Sequence, residues 1–169
     1  NSAAALCFPT SRYQWVRPGL ALYGSGPQVV IEAAFPIEGV MSFLSEVSQV
    51  RELSAGESVS YGASWRASMD SRVAILPVGY ADGLPRAVSN RAHVLIHGTP
   101  CPIVGAVCMD ISVVDVTHLG NRVRPKDAVI LLGAAKQNMI RVADIAKWSG
   151  LIEYEVTCGI SKRVPRVYR

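Results

Sequence analysis

The sequence predicts a mainly β domain, either a sandwich or a closed barrel with a few helices, preceded by one short helix and one strand. Three observations support this fold class. Short apolar runs recur along the chain, turn-forming residues separate them, and helical spacing of apolar residues is confined to a single longer segment. Half of the 169 residues are hydrophobic and 18% are charged, which is typical of a packed globular domain.

The first predicted elements are a helix and a strand. Residues 1–8 are expected to be helical, with Asn1 or Ser2 as the N-cap. The apolar second half of residues 15–24 is expected to form a short buried strand bounded by Gly and Pro. Residues 24–36, rich in Gly and Pro, are predicted to be a linker.

Most of the remaining chain is predicted to form strands. They are expected within residues 40–53, 73–78, 92–96, 102–107, 111–116, 128–132, 154–160 and 163–168. One amphipathic helix interrupts them at residues 139–148, with Asn138 as its N-cap and Gly150 as its C′ residue.

Charge and composition exclude several classes of protein. A net charge of +4 without a long basic run is a poor signal for nucleic-acid binding, although it suits an anionic ligand. The sequence contains no apolar run near the ~20 residues that span a bilayer, and no signal-peptide pattern. We therefore expect a cytoplasmic protein that binds neither nucleic acid nor membrane.

Metal binding is not predicted either. The four cysteines form no C-x-x-C pair and are expected to be packed, reduced thiols. Isolated carboxylates beside turns are expected to be solvated caps; they are Asp110, Asp115 and Asp127. His93 and His97 can share a strand face, but without a third ligand we interpret them as surface histidines.

Six segments carry the functional signal. They are Asn1-Ser2, residues 16–24 (V-R-P-G-L-A-L-Y-G), 60–66 (S-Y-G-A-S-W-R), 78–86 (V-G-Y-A-D-G-L-P-R), 103–110 (I-V-G-A-V-C-M-D) and 161–168 (S-K-R-V-P-R-V-Y). In this order, and over nearly the whole chain, they resemble the bacterial alanine racemase family. The resemblance implies a (β/α)₈ barrel that holds pyridoxal 5′-phosphate, followed by a C-terminal β-barrel domain.

The resemblance also implies domain boundaries. Residues 1–38 resemble the last helix and strand of a truncated (β/α)₈ barrel with a linker, and residues 39–169 resemble the C-terminal domain. Because Asn1 begins a helix without a preceding Met, we expect a fragment or a processed piece. The family carries its cofactor lysine near its own N-terminus, and no lysine here has a matching context; the candidates are Lys126, Lys136, Lys147 and Lys162.

Tyr61 is the candidate catalytic base. In the family, the tyrosine of the Y-G-x-x-W segment exchanges the α-proton on one face of the substrate, and the cofactor lysine acts on the other face. A phenol has a reference pKa of ~10, so it needs positive charge or hydrogen bonds nearby to act as a base. From spacing alone, a half-buried tyrosine at a barrel rim is the plainer interpretation.

The family motifs also imply cofactor contacts. Arg17, the arginine of R-P-G, corresponds to a donor to the pyridine nitrogen, which stays unprotonated because a guanidinium keeps its proton. Ser2 and the backbone of Gly19 and Leu20 resemble phosphate-binding positions, and Asn1 is expected to orient the same loop. The alternatives are a surface arginine and an ordinary N-cap.

Two further residues resemble substrate-side positions. Met109 corresponds to a residue whose backbone contacts the substrate carboxylate, although core packing is the alternative. Tyr80, with Asp82, resembles the entrance to the active site. In the family, the equivalents of Tyr61, Tyr80 and Met109 reach the cofactor of the partner subunit, which implies a homodimer with shared active sites.

Three positions depart from the family pattern. Lys162 stands where some members place a tyrosine near the phosphate, Leu84 replaces an aromatic residue, and Ser60 replaces a common glycine. Neither Leu84 nor Ser60 removes a group that the two-base mechanism needs, and a lysine at position 162 can still bind an anion.

The expected activity is pyridoxal-phosphate-dependent interconversion of L- and D-alanine in the parent protein, supplying peptidoglycan synthesis, with the chain inactive by itself. A serine or broad-specificity amino-acid racemase is one alternative. A second is a non-catalytic β-domain that serves dimerisation and completes an active site. A third is a decarboxylase-type relative of similar architecture, whose motifs do not include this set.

Overall fold

The computed structural model describes residues 1–26 and 37–168. The chain divides into two compact units, Asn1–Ser42 and Phe43–Arg169. Most of the predicted linker lies outside the described residues. The domain boundary expected between residues 38 and 39 concerns a longer parent protein and stays a prediction.

The first unit contains helix α1, Ser2–Cys7, and two 3₁₀ helices, Pro9–Ser11 and Leu20–Tyr23. The predicted cap is confirmed, because the Asn1 side chain accepts a hydrogen bond from the Ala4 N–H at 2.9 Å. The predicted strand in residues 15–24 is wrong.

The cause of that error is local. Gly24 adopts a left-handed conformation (φ +73°) and returns its N–H to the carbonyls of Leu20 and Ala21, which closes a helical turn. Only four apolar residues lie between Gly19 and Gly24, and so short a run does not distinguish a strand from a helical turn.

The second unit consists mostly of strands. They are β1 Phe43–Glu46, β2 Gln49–Leu53, β3 Ser58–Val59, β4 Trp65–Arg66, β5 Ser71–Leu76, β6 His93–Ile96, β7 Thr99–Pro102, β8 Ser112–Asp115, β9 Ala128–Ala135 and β10 Asn138–Ile140. The helices are α2 Val142–Ser149 and α3 Glu153–Gly159, with 3₁₀ turns at Tyr61–Ala63, Arg86–Val88 and Thr117–Arg122. The predicted mainly β fold class is confirmed.

The strands form antiparallel sheets. One sheet has the order β1-β9-β6-β7 with β10 added to β9, a second has the order β2-β5-β8, and β3 pairs with β4. An isolated bridge between Ile103 and Val114 joins the end of β7 to β8. The core between these elements is apolar, and its fully buried side chains include Leu76, Ile96, Val47 and Val114.

Residues 40–53 form two strands where one run was predicted. The break lies at Val47, whose N–H donates to the Asp127 carbonyl at 2.9 Å and whose carbonyl accepts from the Lys126 N–H at 2.7 Å. These bonds hold Val47 outside both ladders, so β1 and β2 pair in different sheets.

Helix α2 begins later than predicted. Met139 lies in β10, opposite Ala134, and the helix begins after Arg141, whose N–H donates to the Asp144 carboxylate at 2.7 Å. Gly150 ends the helix in a left-handed conformation (φ +76°), as predicted.

Three predicted strands are wrong. Residues 103–107 form a loop after β7, residues 154–159 belong to α3, and residues 163–168 contain a turn followed by irregular backbone. Helix α3 is stabilised at its start by the Glu155 carboxylate, which accepts the Ile152 N–H at 3.0 Å.

All four cysteines are free thiols, but only Cys101 is buried; Cys7 and Cys158 are exposed. Burial raises the pKa of Cys101 to about 12, so its thiol stays protonated at neutral pH. A helix long and apolar enough to cross a bilayer does not occur in residues 1–26 or 37–168.

Candidate active site

Tyr61 lies on a tight loop between β3 and β4. The two short strands pair through Ser58–Arg66 and Val59–Trp65. Between them the backbone takes positive φ at Ser60 (+64°), Gly62 (+73°) and Ala63 (+45°). Two of these residues are not glycine, and such conformations concentrate at functional sites. The loop presents the Tyr61 side chain outward, 79% exposed.

This loop rests on the segment that leads to Met109. The Ser60 hydroxyl donates to the Ala106 carbonyl at 2.6 Å and lies 3.3 Å from the Cys108 sulfur. Gly105 (φ +76°) makes the close approach possible, because a Cβ there would lie 2.9 Å from the Ser60 Cβ. The position of Tyr61 is therefore coupled to that of residues 105–108.

The Tyr80 loop rests on the same segment from another direction. The Tyr80 N–H donates to the Cys108 carbonyl, and the Ala81 N–H to the Met109 carbonyl, each at 3.0 Å. Gly79 leaves no room for a side chain, since a Cβ would lie 2.5 Å from the Met109 carbonyl carbon. Tyr80 and Met109 are 48% and 52% exposed. The three predicted catalytic and substrate-side residues thus lie on three interlinked loops.

Met109 is not a core residue, so the alternative of core packing is wrong for its side chain in this chain. Tyr61 has no hydrogen-bond partner for its hydroxyl among residues 1–26 and 37–168.

A buried carboxylate secures the Tyr80 loop. Asp82 accepts the Gly79 N–H at 2.9 Å on one oxygen and the Arg163 Nε–H at 2.7 Å on the other. Arg163 also donates to the Asp110 carboxylate, next to Met109. The Ser161 N–H donates to the Asp82 carbonyl at 3.1 Å, which fixes the C-terminal segment against the loop.

Sequence reasoning missed this arrangement. The sequence predicts Asp82 beside Tyr80, Asp110 as a turn cap and Arg163 within the 161–168 motif, but no contact among them. The available signal was the presence of the three charges inside three of the six motifs.

The predicted cofactor residues lie in the first unit. The Ser2 side chain is buried and its Oγ accepts the Ala21 N–H at 3.1 Å, which ties α1 to the Leu20–Tyr23 turn. Within the described residues, the Ser2 hydroxyl accepts this hydrogen bond and has no acceptor for its own proton. Nothing lies within 4 Å of a Cβ built at Gly19, so the backbone there is open to a ligand.

Arg17 is exposed, Leu20 is buried, and Asn1 caps α1 through Ala4. A hydroxyl, an arginine and an exposed glycine backbone are each donors that suit an anionic group; among the described residues, no hydrogen bond joins Arg17 to Ser2. The Ser2–Ala21 hydrogen bond brings Ser2, a predicted phosphate-site residue, next to the Gly19–Leu20 backbone.

The histidines have different environments. The His93 ring packs edge-on against Trp148 with ring centroids 4.7 Å apart, and burial lowers its pKa against the opposing effect of Asp144. His93 is therefore half-buried against Trp148. His97 is exposed and its Nε2 lies 2.9 Å from the Asp127 carboxylate. Within the described ranges, no three His, Cys, Asp or Glu side chains converge as metal ligands.

Comparison with known proteins gives consistent matches. Residues 40–168 match the family model described as alanine racemase, C-terminal domain. The alanine racemase of Geobacter sulfurreducens is 42% identical over 169 residues, covering 99% of this chain and 44% of that protein. The chain therefore spans less than half the length of this relative.

Solved structures agree. The crystal structure of alanine racemase from E. faecalis matches with a TM-score of 0.90 at 32% identity, covering 100% of this chain and 45% of that one. Alanine racemase from Bartonella henselae, solved with covalently bound pyridoxal phosphate, matches with a TM-score of 0.82 at 33% identity, over 90% of this chain and 41% of that one.

Proposed function

This chain belongs to the alanine racemase family, and on that premise we propose that the protein containing it interconverts L- and D-alanine with pyridoxal 5′-phosphate as cofactor. The proposal depends chiefly on Tyr61, presented outward on a turn with positive φ within the Y-G-x-x-W segment. On the same family basis, we place the enzyme in the cytoplasm, supplying D-alanine for peptidoglycan.

Tyr61 acts as one of two bases. Racemisation removes a proton from one face of the α-carbon and returns it to the other, so a single fixed base is poorly placed to do both. The Tyr61 Oη holds the proton on its face, and we assign the opposite face to a lysine in a part of the protein outside this chain.

The residues of the first unit fit the cofactor. When bound, the cofactor supplies an electron sink that makes the α-proton acidic. Arg17 would donate to the ring nitrogen and, because it keeps its own proton, would leave that nitrogen unprotonated. The Ser2 hydroxyl and the backbone at Gly19 and Leu20 would hold the phosphate; Asn1 caps the first turn of α1, and the Ser2–Ala21 hydrogen bond ties this turn to the Leu20–Tyr23 turn.

We further propose a homodimer in which Tyr61, Tyr80 and Met109 complete the partner's active site. Their exposure supports this, because large apolar and aromatic side chains grouped on linked loops are usually covered in an assembly. In that arrangement the backbone of Met109 contacts the substrate carboxylate and Tyr80 lines the entrance. The groups that make Tyr61 basic then come from the other subunit.

The deciding experiment compares Tyr61→Phe with wild type in the full-length holoenzyme. Loss of the phenol should lower kcat in both directions by about 10²–10⁴-fold, the contribution of a positioned base, while the cofactor absorbance persists. Tyr13→Phe is the matched control, because Tyr13 is 86% exposed and lies outside the predicted catalytic set.

A wild-type rate for Tyr61→Phe would overturn the assignment of the base. Absence of turnover in the wild-type holoenzyme would favour the non-catalytic β-domain. A panel including serine and basic amino acids separates an alanine racemase from a broad-specificity enzyme.

A further inference from the structure

Arg163 connects three segments that are distant in sequence. Its Nε donates to Asp82 at 2.7 Å, and its terminal nitrogen donates to Asp110. The arginine lies in the segment after α3, whereas the carboxylates follow Tyr80 and Met109 in two separate loops. One guanidinium therefore joins both substrate-side loops to the C-terminal segment.

Each carboxylate has a distinct structural effect. Asp82 is buried, and its second oxygen accepts the Gly79 N–H at 2.9 Å, immediately before Tyr80. Asp110 is more exposed and covalently adjoins Met109. The hydrogen bond from the Tyr80 N–H to the Cys108 carbonyl at 3.0 Å runs between the same two loops. Arg163 thus braces a pair of loops that already touch through their backbones.

The contact depends on the shape of the guanidinium. Two N–H groups of one planar group point to two different carboxylates, which a single ammonium cannot reproduce with the same directionality. The hydrogen bonds to Asp110 and Asp82 raise the pKa of Arg163, so the guanidinium stays protonated.

We propose that Arg163 is a positioning residue of the racemase, which sets the backbone of Met109 and the Tyr80 loop in the arrangement that receives the substrate carboxylate. It acts through Asp82 and Asp110, and it is not assigned a contact with substrate or cofactor. This inference rests on the proposed function. Tyr61 is held through the Ser60–Ala106 hydrogen bond, three residues before Met109, and not by Arg163 directly, so we expect the Arg163 variants to affect proton transfer less than substrate binding.

The test uses Arg163→Gln and Arg163→Lys in the full-length holoenzyme. Arg163→Gln should raise KM for both alanine enantiomers by about tenfold or more while kcat changes by less than about threefold, the pattern of lost uniform binding. Arg163→Lys should lie between this variant and wild type. The inhibition constant of propionate, which keeps the carboxylate without the amino group, should rise in parallel with KM.

Arg72→Gln is the matched control. Arg72 also bridges two side chains, Glu52 and Asn121, but it lies on β5, and among the described residues it forms no hydrogen bond or ion pair with the three loops. A structural loss alone would give both variants similar changes in Tm and in active fraction, with KM unaltered, and would overturn the proposal.

Amide hydrogen exchange separates this inference from the proposed function. In Arg163→Gln, the amides of Gly79, Tyr80 and Ala81 should exchange faster than in wild type and in Arg72→Gln, even if the protein is not a racemase. Unchanged exchange together with unchanged KM would refute the positioning role.

If Arg163→Gln does not fold, Asp110→Asn decides the question. That substitution weakens the contact between Arg163 and the exposed carboxylate at position 110, and it leaves the contact between Arg163 and Asp82 in place. A smaller rise in KM with faster exchange at Ala81 supports the proposal, and wild-type values for both contradict it.

Discussion

Gly79 lies against the backbone of Cys108 and Met109, and replacing it with alanine should separate the loops that carry Tyr80 and Met109. A Cβ at this position would overlap both carbonyl groups, lying 2.5 Å from the Met109 carbonyl carbon. The obstructing atoms belong to the backbone, so no side-chain rotation can relieve the contact. One of the two loops must move.

The structure sets the size of the effect. Forcing a methyl group into a filled site costs about 1–3 kcal/mol. The movement also lengthens the hydrogen bonds from Tyr80 and Ala81 to the Cys108 and Met109 carbonyls, each contributing about 0.5–1.5 kcal/mol. Gly79→Ala should therefore lower the free energy of unfolding by about 2–6 kcal/mol, a large part of the 5–15 kcal/mol typical of a domain.

Urea denaturation followed by circular dichroism measures this change, and Gly159→Ala is the control. Gly159 lies at the end of α3, and nothing lies within 4 Å of a Cβ built there. Alanine in a helix is preferred to glycine by about 0.5–1 kcal/mol, so the control should be neutral or stabilised. If both variants unfold with the same free energy as wild type, the inferred close contact at Gly79 is wrong.

Two further predictions concern single side chains. Ser60→Ala should lower the free energy of unfolding by about 0.5–1.5 kcal/mol, because it removes the hydrogen bond to Ala106 and keeps the strained φ of +64°. Ser60→Gly should be the more stable of the two in the same urea titration, and the reverse order would count against backbone strain. Burial lowers the pKa of His93 below its reference 6.5, so protonation favours the unfolded chain and stability is lost as pH falls below 6.5. In His93→Gln, the free energy of unfolding should fall less steeply as the pH is lowered from 7.5 to 5. If its dependence on pH is unchanged, the loss of stability comes from other groups.

The strands were largely predictable because turn residues and apolar runs delimit them, as at β6 and β8. Helix α3 was not, since Tyr154, Val156, Cys158 and Ile160 alternate with polar residues in the period of a strand. Only Val156 among them is buried, so the apparent strand face is not a packed face. The cap from Glu155 and contacts with α2 decide the helical conformation.

The candidate site was likewise predictable from the sequence only in part. Tyr61, Tyr80 and Met109 lie in short motifs that can be identified from the order of residues alone, without knowledge of the fold. The link from Arg163 to Asp82 and Asp110 spans 81 and 53 positions; the three charges lie within motifs, but one sequence does not show that they pair with each other. The positive φ at Ser60 was not predicted either, although this serine replaces a glycine that is common in the family, and glycine adopts positive φ readily.

The pairing of β1 with β9 has a consequence for the order of events during synthesis. Phe43 lies opposite Leu132 and Glu46 opposite Ala128, so β1 leaves the ribosome well before its partner strand exists. Non-local pairing of this kind slows folding and leaves strand edges open to intermolecular contacts in the meantime. The nascent chain therefore passes through a period in which β1 has no partner in its own sheet, and this period ends only when residues 128–132 emerge.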